Sequence, residues 1–253
     1  MIPMNARRAG SAGVIAERDA YGQVMWNCYK GVSPYEIIER DDGFIDVGGA
    51  LPYFQAFENW PQHEQEAIQL ARSPVLDIGC GAGRVALYLQ AKGHRVLAID
   101  NSPMAVKVTK LRGVTSARVL SIDDIHVLTQ KFGSIVLYGN NFGLLGGRTK
   151  AGRLLAAMHR ITTPDALIIA AASDPYKTRD PVHLRYHQRN RDRGRMAGQI
   201  RLRIRHGQFC GPWFDYLFAS QDEVRSMVEK TRWVISAIVE SNGPGFVAIL
   251  KKR

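Results

Sequence analysis

Val75-Leu76-Asp77-Ile78-Gly79-Cys80-Gly81-Ala82-Gly83-Arg84 decides the fold of this chain. Four residues of buried-strand character break into three glycines at alternate positions, and a helix follows from about Arg84. Glycine tolerates backbone angles that a Cβ forbids and lets a ligand lie against the main chain. The helix start behind such a loop offers N–H groups and the positive end of a dipole, so the loop suits a strongly polar or anionic ligand group. A dinucleotide fingerprint, Gly-x-Gly-x-x-Gly, would need glycine at 84, where Arg84 stands. What stands here is Asp77-x-Gly79-x-Gly81-x-Gly83, and 23 positions after Asp77 a second apolar run, Val96-Leu97-Ala98-Ile99, ends in Asp100. A carboxylate at the tip of the neighbouring parallel strand is placed to accept both hydroxyls of a ribose.

Outward from that pair, strands and helices alternate. Val85–Lys92 reads as a helix closed by Gly93, and Asn101-Ser102-Pro103 as the cap and first turn of the next. Ala117–Ile122, Ser134–Tyr138 and Ala166–Ala172 read as further strands, with Ala151–Arg160 an amphipathic helix and Thr162-Thr163-Pro164-Asp165 a turn. Such alternation implies a parallel sheet with right-handed crossovers and a ligand beyond the carboxyl ends of the strands. Those ends are Ile78, Asp100, Asp123 and Tyr138, which is where the polar residues gather.

The glycine loop with Asp100 resembles the first two motifs of class I S-adenosylmethionine-dependent methyltransferases, over residues 75 to about 251. Glu39-Arg40-Asp41-Asp42-Gly43, Gly139-Asn140-Asn141 and Arg189-Asn190-Arg191 also resemble runs of a bacterial, small-molecule type within that superfamily. The resemblance implies a doubly wound, mostly parallel seven-stranded sheet whose last strand is antiparallel, and S-adenosylmethionine as cofactor. It assigns cofactor contacts to Asp77, Gly79, Cys80, Gly81, Gly83, Asp100 and Asn101, with Cys80 as a small spacer. The adenine would meet Asp124-Ile125, or Asp123 in the other register. Asn140, at the tip of the fourth strand, would face the cofactor and the transferring methyl. The Asn/Asp-Pro-Pro-aromatic run of enzymes that methylate base or glutamine amino groups is absent, as is the Pro-Cys of pyrimidine C5 enzymes.

The flanks are less regular. Residues 1 to about 18 read as a polar arm with Arg7 and Arg8, Tyr21–Tyr29 as a helix, Ser33-Pro34 as the start of another, and Asp41-Asp42-Gly43 and Gly48-Gly49 as turns. Residues 1–72 are thus expected to form an arm and helical lid, and 73–253 the cofactor-binding domain with an insertion at about 174–218. Tyr53, Phe54 and Trp60 are the candidate lid aromatics. Within the insertion, nine arginines fall between Arg179 and Arg205. Residues 199–206 alternate as a half-buried strand, which Trp213–Phe218 can pair across a turn. Ser220 caps a helix, and Val234–Val239 and Phe246–Leu250 close the sheet.

Composition bounds the rest. The 253 residues suffice for one α/β domain with insertions, and 45% hydrophobic content marks a globular chain. Three scattered cysteines match no metal or redox spacing, so no metal is expected. No apolar run is long enough to span a bilayer and no secretion signal is evident, so a cytoplasmic setting is expected. The net charge of +11, concentrated in the insertion, suggests an anionic partner. The reading is methyl transfer to a small, anionic metabolite by in-line displacement, with Arg185, Tyr186, Tyr53 and Trp60 holding the acceptor. His187, Tyr176 and Asn140 are the candidates for chemistry, His187 as a base. The alternatives are RNA methylation or RNA binding through the basic insertion, and use of the same cofactor for aminocarboxypropyl transfer or cyclisation.

Overall fold

The computed structural model describes residues 14–253; the arm at 1–13, with Arg7 and Arg8, lies outside the described residues. The core is a seven-stranded sheet built from β3 (Val75–Ile78), β4 (Val96–Asp100), β5 (Ala117–Val119), β6 (Phe132–Leu137), β7 (Thr162–Ser173), β11 (Trp233–Glu240) and β12 (Gly245–Lys252), in the order β11-β12-β7-β6-β3-β4-β5. The pairs from β7 to β5 are parallel, whereas β12 runs antiparallel to both neighbours. Successive strand residues feed opposite faces. Leu76 and Ile78 join a core with Ile99, Ile135 and Ile168, while Val75 joins one with Val136, Ile169 and Val247. Burying both faces of a near-continuous apolar strand requires cover on each side. It comes from helices α2 (Gln62–Ile68), α3 (Arg84–Ala91), α4 (Pro103–Leu111), α5 (Arg148–Arg160) and α7 (Gln221–Glu229).

From β3 the chain winds outward through β4 and β5, then returns to the other side of β3 with β6. The loops after β3 and β6 therefore diverge and open a crevice at the carboxyl edge, where a ligand site belongs. Two expected boundaries move. The turn at Thr162-Thr163-Pro164-Asp165 is instead the start of β7, accommodated by a register shift against β6. The third strand ends at Val119, and Ile122–Val127 is a tight 3-10 turn.

The segment expected to be a helical lid differs most. Helix α1 (Ala20–Tyr29) forms, capped by Asp19, but Ser33-Pro34 begins a strand rather than a helix. Strands β1 (Tyr35–Arg40) and β2 (Ile45–Gly49) form a hairpin around Asp41-Asp42-Gly43, with Gly48-Gly49 inside β2 rather than in a turn. This hairpin pairs with the insertion. Its strands β8 (Gln199–His206), β9 (Phe209–Cys210) and β10 (Phe214–Leu217) complete a five-stranded antiparallel sheet, order β10-β8-β1-β2 with β9 on β8. Helix α6 (Pro181–Asp192) leads into it. The second sheet roofs the crevice. Asp19 fastens its N-terminal side, accepting from Ser102 Oγ at 2.9 Å and Met104 N at 3.0 Å at the start of α4.

Candidate active site

Between the main sheet and the roof lies one cavity of about 920 Å3. Its floor is the carboxyl edge of the main sheet, with Asp77, Gly79, Asp100, Ser121 and Asn141 among its lining. Its ceiling is the inner face of the second sheet. The pairings Ile38 with Ile204 and Phe214 with Leu202 put apolar side chains side by side there.

The glycine loop spends its amides inside the protein rather than presenting them to a phosphate. Gly79, Gly81 and Gly83 all have positive φ (71°, 54° and 81°), which explains three glycines where alanine would serve a helix better. The N–H groups of Gly79 and Cys80 donate to the Ile99 carbonyl, that of Gly81 to Asp100 Oδ2 at 3.0 Å, and that of Gly83 to the Cys80 carbonyl. The expectation of free loop amides for an anionic group is therefore corrected: four of them are used inside the protein. Gly79 and Cys80 line the cavity, whereas Gly81 and Gly83 act by close packing. A Cβ on Gly81 would stand 2.7 Å from the Tyr21 hydroxyl, and one on Gly83 2.9 Å from Thr109 Cγ2.

Two carboxylates carry the polar chemistry of the floor. Asp100 Oδ1 accepts from Ser102 N at 2.9 Å and Oδ2 from Gly81 N, which fixes the group while lone pairs remain for a ligand. Burial pushes its pKa up to about 6, against the pull of those backbone donors. Asp77 is only 2% exposed, and its Oδ2 has no hydrogen-bond partner among the described residues. Burial, opposed by the Arg84 charge and reinforced by that of Asp100, pushes Asp77 up to about 7. An orphaned buried carboxylate oxygen costs free energy until a donor meets it. The amino group and ribose of S-adenosylmethionine are suitable donors for Asp77 and Asp100. These residues fit that cofactor.

Two residues outside the expected set of cofactor contacts also shape the floor. Arg84 lines the cavity with its guanidinium fixed by Glu64, at 2.7 Å, and stacked on Trp60, 4.6 Å from the ring centroid. A cation in the first turn of a helix opposes the helix dipole, a signal in the sequence that an anionic group belongs nearby. Asn141 Nδ2 donates to the carbonyls of Ile78 (3.1 Å) and Gly79 (2.9 Å), tying the β6 loop to the glycine loop.

Several expected site residues lie elsewhere. Asp124 does not line the cavity and Ile125 is buried in the core, because the 3-10 turn begins at Ile122; Ser121, Ile122 and Asp123 face the cavity instead. Asp123 is engaged by Lys150 at 3.1 Å and Arg153 at 2.9 Å. Asn140 does not line the cavity either: it adopts a left-handed φ of 63°, which asparagine tolerates, and its carbonyl accepts from the Tyr216 hydroxyl at 2.8 Å. Trp60, 3% exposed, supports Arg84 from below rather than meeting an acceptor. Tyr176 is 49% exposed and donates to Glu223 outside the cavity. Tyr186 is buried against Arg40 and donates to Asp41 at 2.6 Å, a structural tie between α6 and the hairpin, and Arg185 is exposed on α6. Tyr53, Asn101 and His187 do line the cavity.

The arginines of β8 face outward. Arg203 and Arg205 pair with Glu39, and Arg201 and Arg195 with Asp215, while Ile200, Leu202 and Ile204 face the cavity. The alternation was legible, but the face turned to the ligand is the apolar one. His187 is buried, and its pKa is lowered by burial first, then by Arg191, His183 and Arg40. It is therefore a neutral proton acceptor at pH 7. His183 beside it shares Nδ1 with Arg40 at 3.0 Å.

Comparison with known proteins agrees with this geometry. Residues 75–165 match a family described as "Methyltransferase domain". The chain is similar to a crystal structure of a SAM-dependent methyltransferase from Bacteroides fragilis in complex with S-adenosyl-L-homocysteine. That likeness has TM-score 0.82 and 25% identity, and covers 95% of this chain and 97% of the other. A stretch of 63 residues is 40% identical to a ubiquinone biosynthesis O-methyltransferase of Xanthomonas oryzae pv. oryzae, covering 23% of this chain and 26% of the relative. Another of 68 residues is 35% identical to a 2-heptyl-1-hydroxyquinolin-4(1H)-one methyltransferase of Mycobacteroides abscessus, covering 24% and 30%. The chain thus spans between a quarter and a third of the length of these two curated relatives. It carries a class I S-adenosylmethionine-dependent methyltransferase domain. No helix among the described residues is long and apolar enough to cross a membrane.

Proposed function

We propose that the protein transfers a methyl group from S-adenosylmethionine to a small molecule with an apolar, ring-sized body and an ionisable hydroxyl or acid group. One observation carries this reading: a single cavity runs from Asp77 and Asp100 on the floor to the apolar ceiling of Ile38, Ile200, Leu202 and Phe214. Donor and acceptor would share that chamber, roofed from solvent by the second sheet. Its volume lies at the upper end of the range for one small-molecule pocket, which suits two ligands side by side. The names of the relatives, an O-methyltransferase of ubiquinone biosynthesis and a hydroxyquinolinone methyltransferase, favour a hydroxylated ring as acceptor. Their similarity covers only about a quarter of this chain, so the ceiling is the stronger support.

When bound, the cofactor supplies a methyl group on a positively charged sulfur, already electrophilic. The protein has to align the acceptor and keep water out. Asp100 and Asp77 orient the donor, Tyr53 and the β8 side chains enclose the acceptor, and His187 takes the acceptor's proton. An acidic substituent would find Arg18 and Lys177, cations of the cavity lining. This retains an anionic acceptor, with its charged recognition moved from Arg185 to those two residues.

The test is incubation of the protein with methyl-labelled cofactor and a panel of hydroxylated aromatics, hydroxyquinolines and small carboxylic acids. Labelled product with stoichiometric S-adenosylhomocysteine is expected from the ring-bearing members. Spent cofactor appearing as methylthioadenosine would instead indicate aminocarboxypropyl transfer or cyclisation. Label entering only RNA would refute the small-molecule reading.

A further inference from the structure

One carboxyl group of the ceiling is left unexplained by donor orientation and by the proposed base. Glu36, on β1, is 5% exposed and lines the cavity, and no cationic side chain pairs with it among the described residues. Its only side-chain hydrogen bond among the described residues is a long one, 3.5 Å, from the Tyr53 hydroxyl. The register places it opposite Gly48 on β2, where a Cβ would stand 3.1 Å from Oε1; the glycine makes room for the carboxylate.

The surroundings aim it at the floor. Tyr53 packs edge-on against Tyr21 with ring centroids 5.7 Å apart, and the Tyr21 hydroxyl meets the backbone at Gly81. Tyr216 reaches the Asn140 carbonyl at the tip of β6, and its phenol, like that of Tyr21, feels the Glu36 charge. Glu36 thus lies across from the two loops that flank the crevice. In the cofactor, sulfur sits between the ribose and the amino acid, and therefore between the groups suited to Asp100 and Asp77. A carboxylate among phenol rings in an apolar chamber is a site for a poorly hydrated cation.

We infer that Glu36, walled by Tyr21, Tyr53 and Tyr216, is the counter-charge for the cofactor's sulfonium, and that it makes the protein prefer the charged donor to the neutral spent form. This rests on the cofactor reading above. Its consequence is directional: loss of the methyl removes the positive charge, so S-adenosylhomocysteine loses this contact and leaves more readily.

The groups facing Glu36 are Tyr53, Asp46 on β2, Tyr21 on α1 and Tyr216 on β10. Burial pushes it up to about 7, opposed by the Tyr53 hydrogen bond and reinforced by Asp46. Binding of a cation must then shift Glu36 toward its ionised form and release a proton near neutral pH, by linkage. Asp77 and Asp100 would meet groups common to both ligands, so their proton changes cancel in the difference between the two.

Calorimetry of S-adenosylmethionine and of S-adenosylhomocysteine binding to the full chain at pH 7, in two buffers of different ionisation enthalpy, reads this directly. The parent should release more protons with the methylated ligand. Glu36→Gln should abolish that difference and weaken S-adenosylmethionine about tenfold, the equivalent of one pKa unit of coupling, while leaving S-adenosylhomocysteine nearly unchanged. Equal proton release by the parent, or equal losses for both ligands in the variant, would overturn the inference and leave the cofactor reading standing. Binding of neither ligand to the parent would overturn both.

Discussion

Replacing Asp77 by asparagine should make the ligand-free protein more stable and its cofactor binding weaker. The carboxylate is buried, with one oxygen unpartnered, and its pKa lies near 7 rather than the ordinary 3.8. With the folded value above the unfolded one, the native state holds a proton that the unfolded chain has lost between about pH 4 and 7. Stability therefore falls as pH rises through that window, and the full penalty is present above it. At about 1.4 kcal/mol per pKa unit the ceiling is roughly 4 kcal/mol, and water entering an open cavity brings a working figure of about 2 kcal/mol. Asparagine keeps the shape and an acceptor for the Ala86 N–H that bonds Asp77, and carries no charge to desolvate. For a chain of this length the gain corresponds to a rise in Tm of about 4–8 °C at pH 8. The same change should remove the charge-assisted bond proposed to the ligand's amino group, about 1.5–3 kcal/mol, or a roughly 10- to 150-fold loss of affinity. Both cofactor forms carry that amino group, so both should weaken alike. Thermal scans at pH 8 and pH 4, with titration of S-adenosylhomocysteine at pH 8, test it. A lower Tm at pH 8, or an unchanged affinity, would refute the reasoning.

Two further outcomes follow from the site. His187→Gln should reduce kcat by about 10²- to 10⁴-fold, the usual worth of a positioned base. Because its pKa is lowered, the parent's activity should hold through neutral pH and fall only on the acid side of the ordinary histidine range; an unchanged kcat and acid limb in the variant would exclude His187. Gly83→Ala forces a left-handed residue against Thr109 and should cost about 1–3 kcal/mol of stability, checked by denaturant melts; no loss would mean that Thr109 and the backbone adjust freely.

The floor of the cavity was legible because its chemistry is local. Asp77, the alternate glycines and Asp100 lie within two consecutive strand–loop–helix units, and their spacing alone implies the crevice. The roof was not. Its central pairing, β1 with β8, joins residues such as Ile38 and Ile204, and no local pattern announces a partner so distant along the chain. Lacking that partner, Ser33-Pro34 resembles a helix start as much as the entry to an edge hairpin. Alternation at 199–206 identified a strand but not which face would turn inward. The charges, counted in the cluster expected to meet an anionic partner, pair with Glu39 and Asp215 of the protein itself. Glu36 was hidden for the same reason: in Tyr35-Glu36-Ile37-Ile38-Glu39-Arg40 two glutamates look alike, yet one points into the cavity and the other holds Arg203 on the outer face. Asp124 and Ile125 fall outside the cavity lining because the segment after β5 becomes a 3-10 turn, whose side chains do not follow strand alternation.

Equilibrium titration of the purified protein with S-adenosylhomocysteine, beside an Asp100→Ala variant, addresses the central claim most directly. The account predicts saturable one-to-one binding to the parent and a large loss in the variant, since it assigns the ribose hydroxyls to Asp100. No binding to the parent, or equal binding to both proteins, would contradict it.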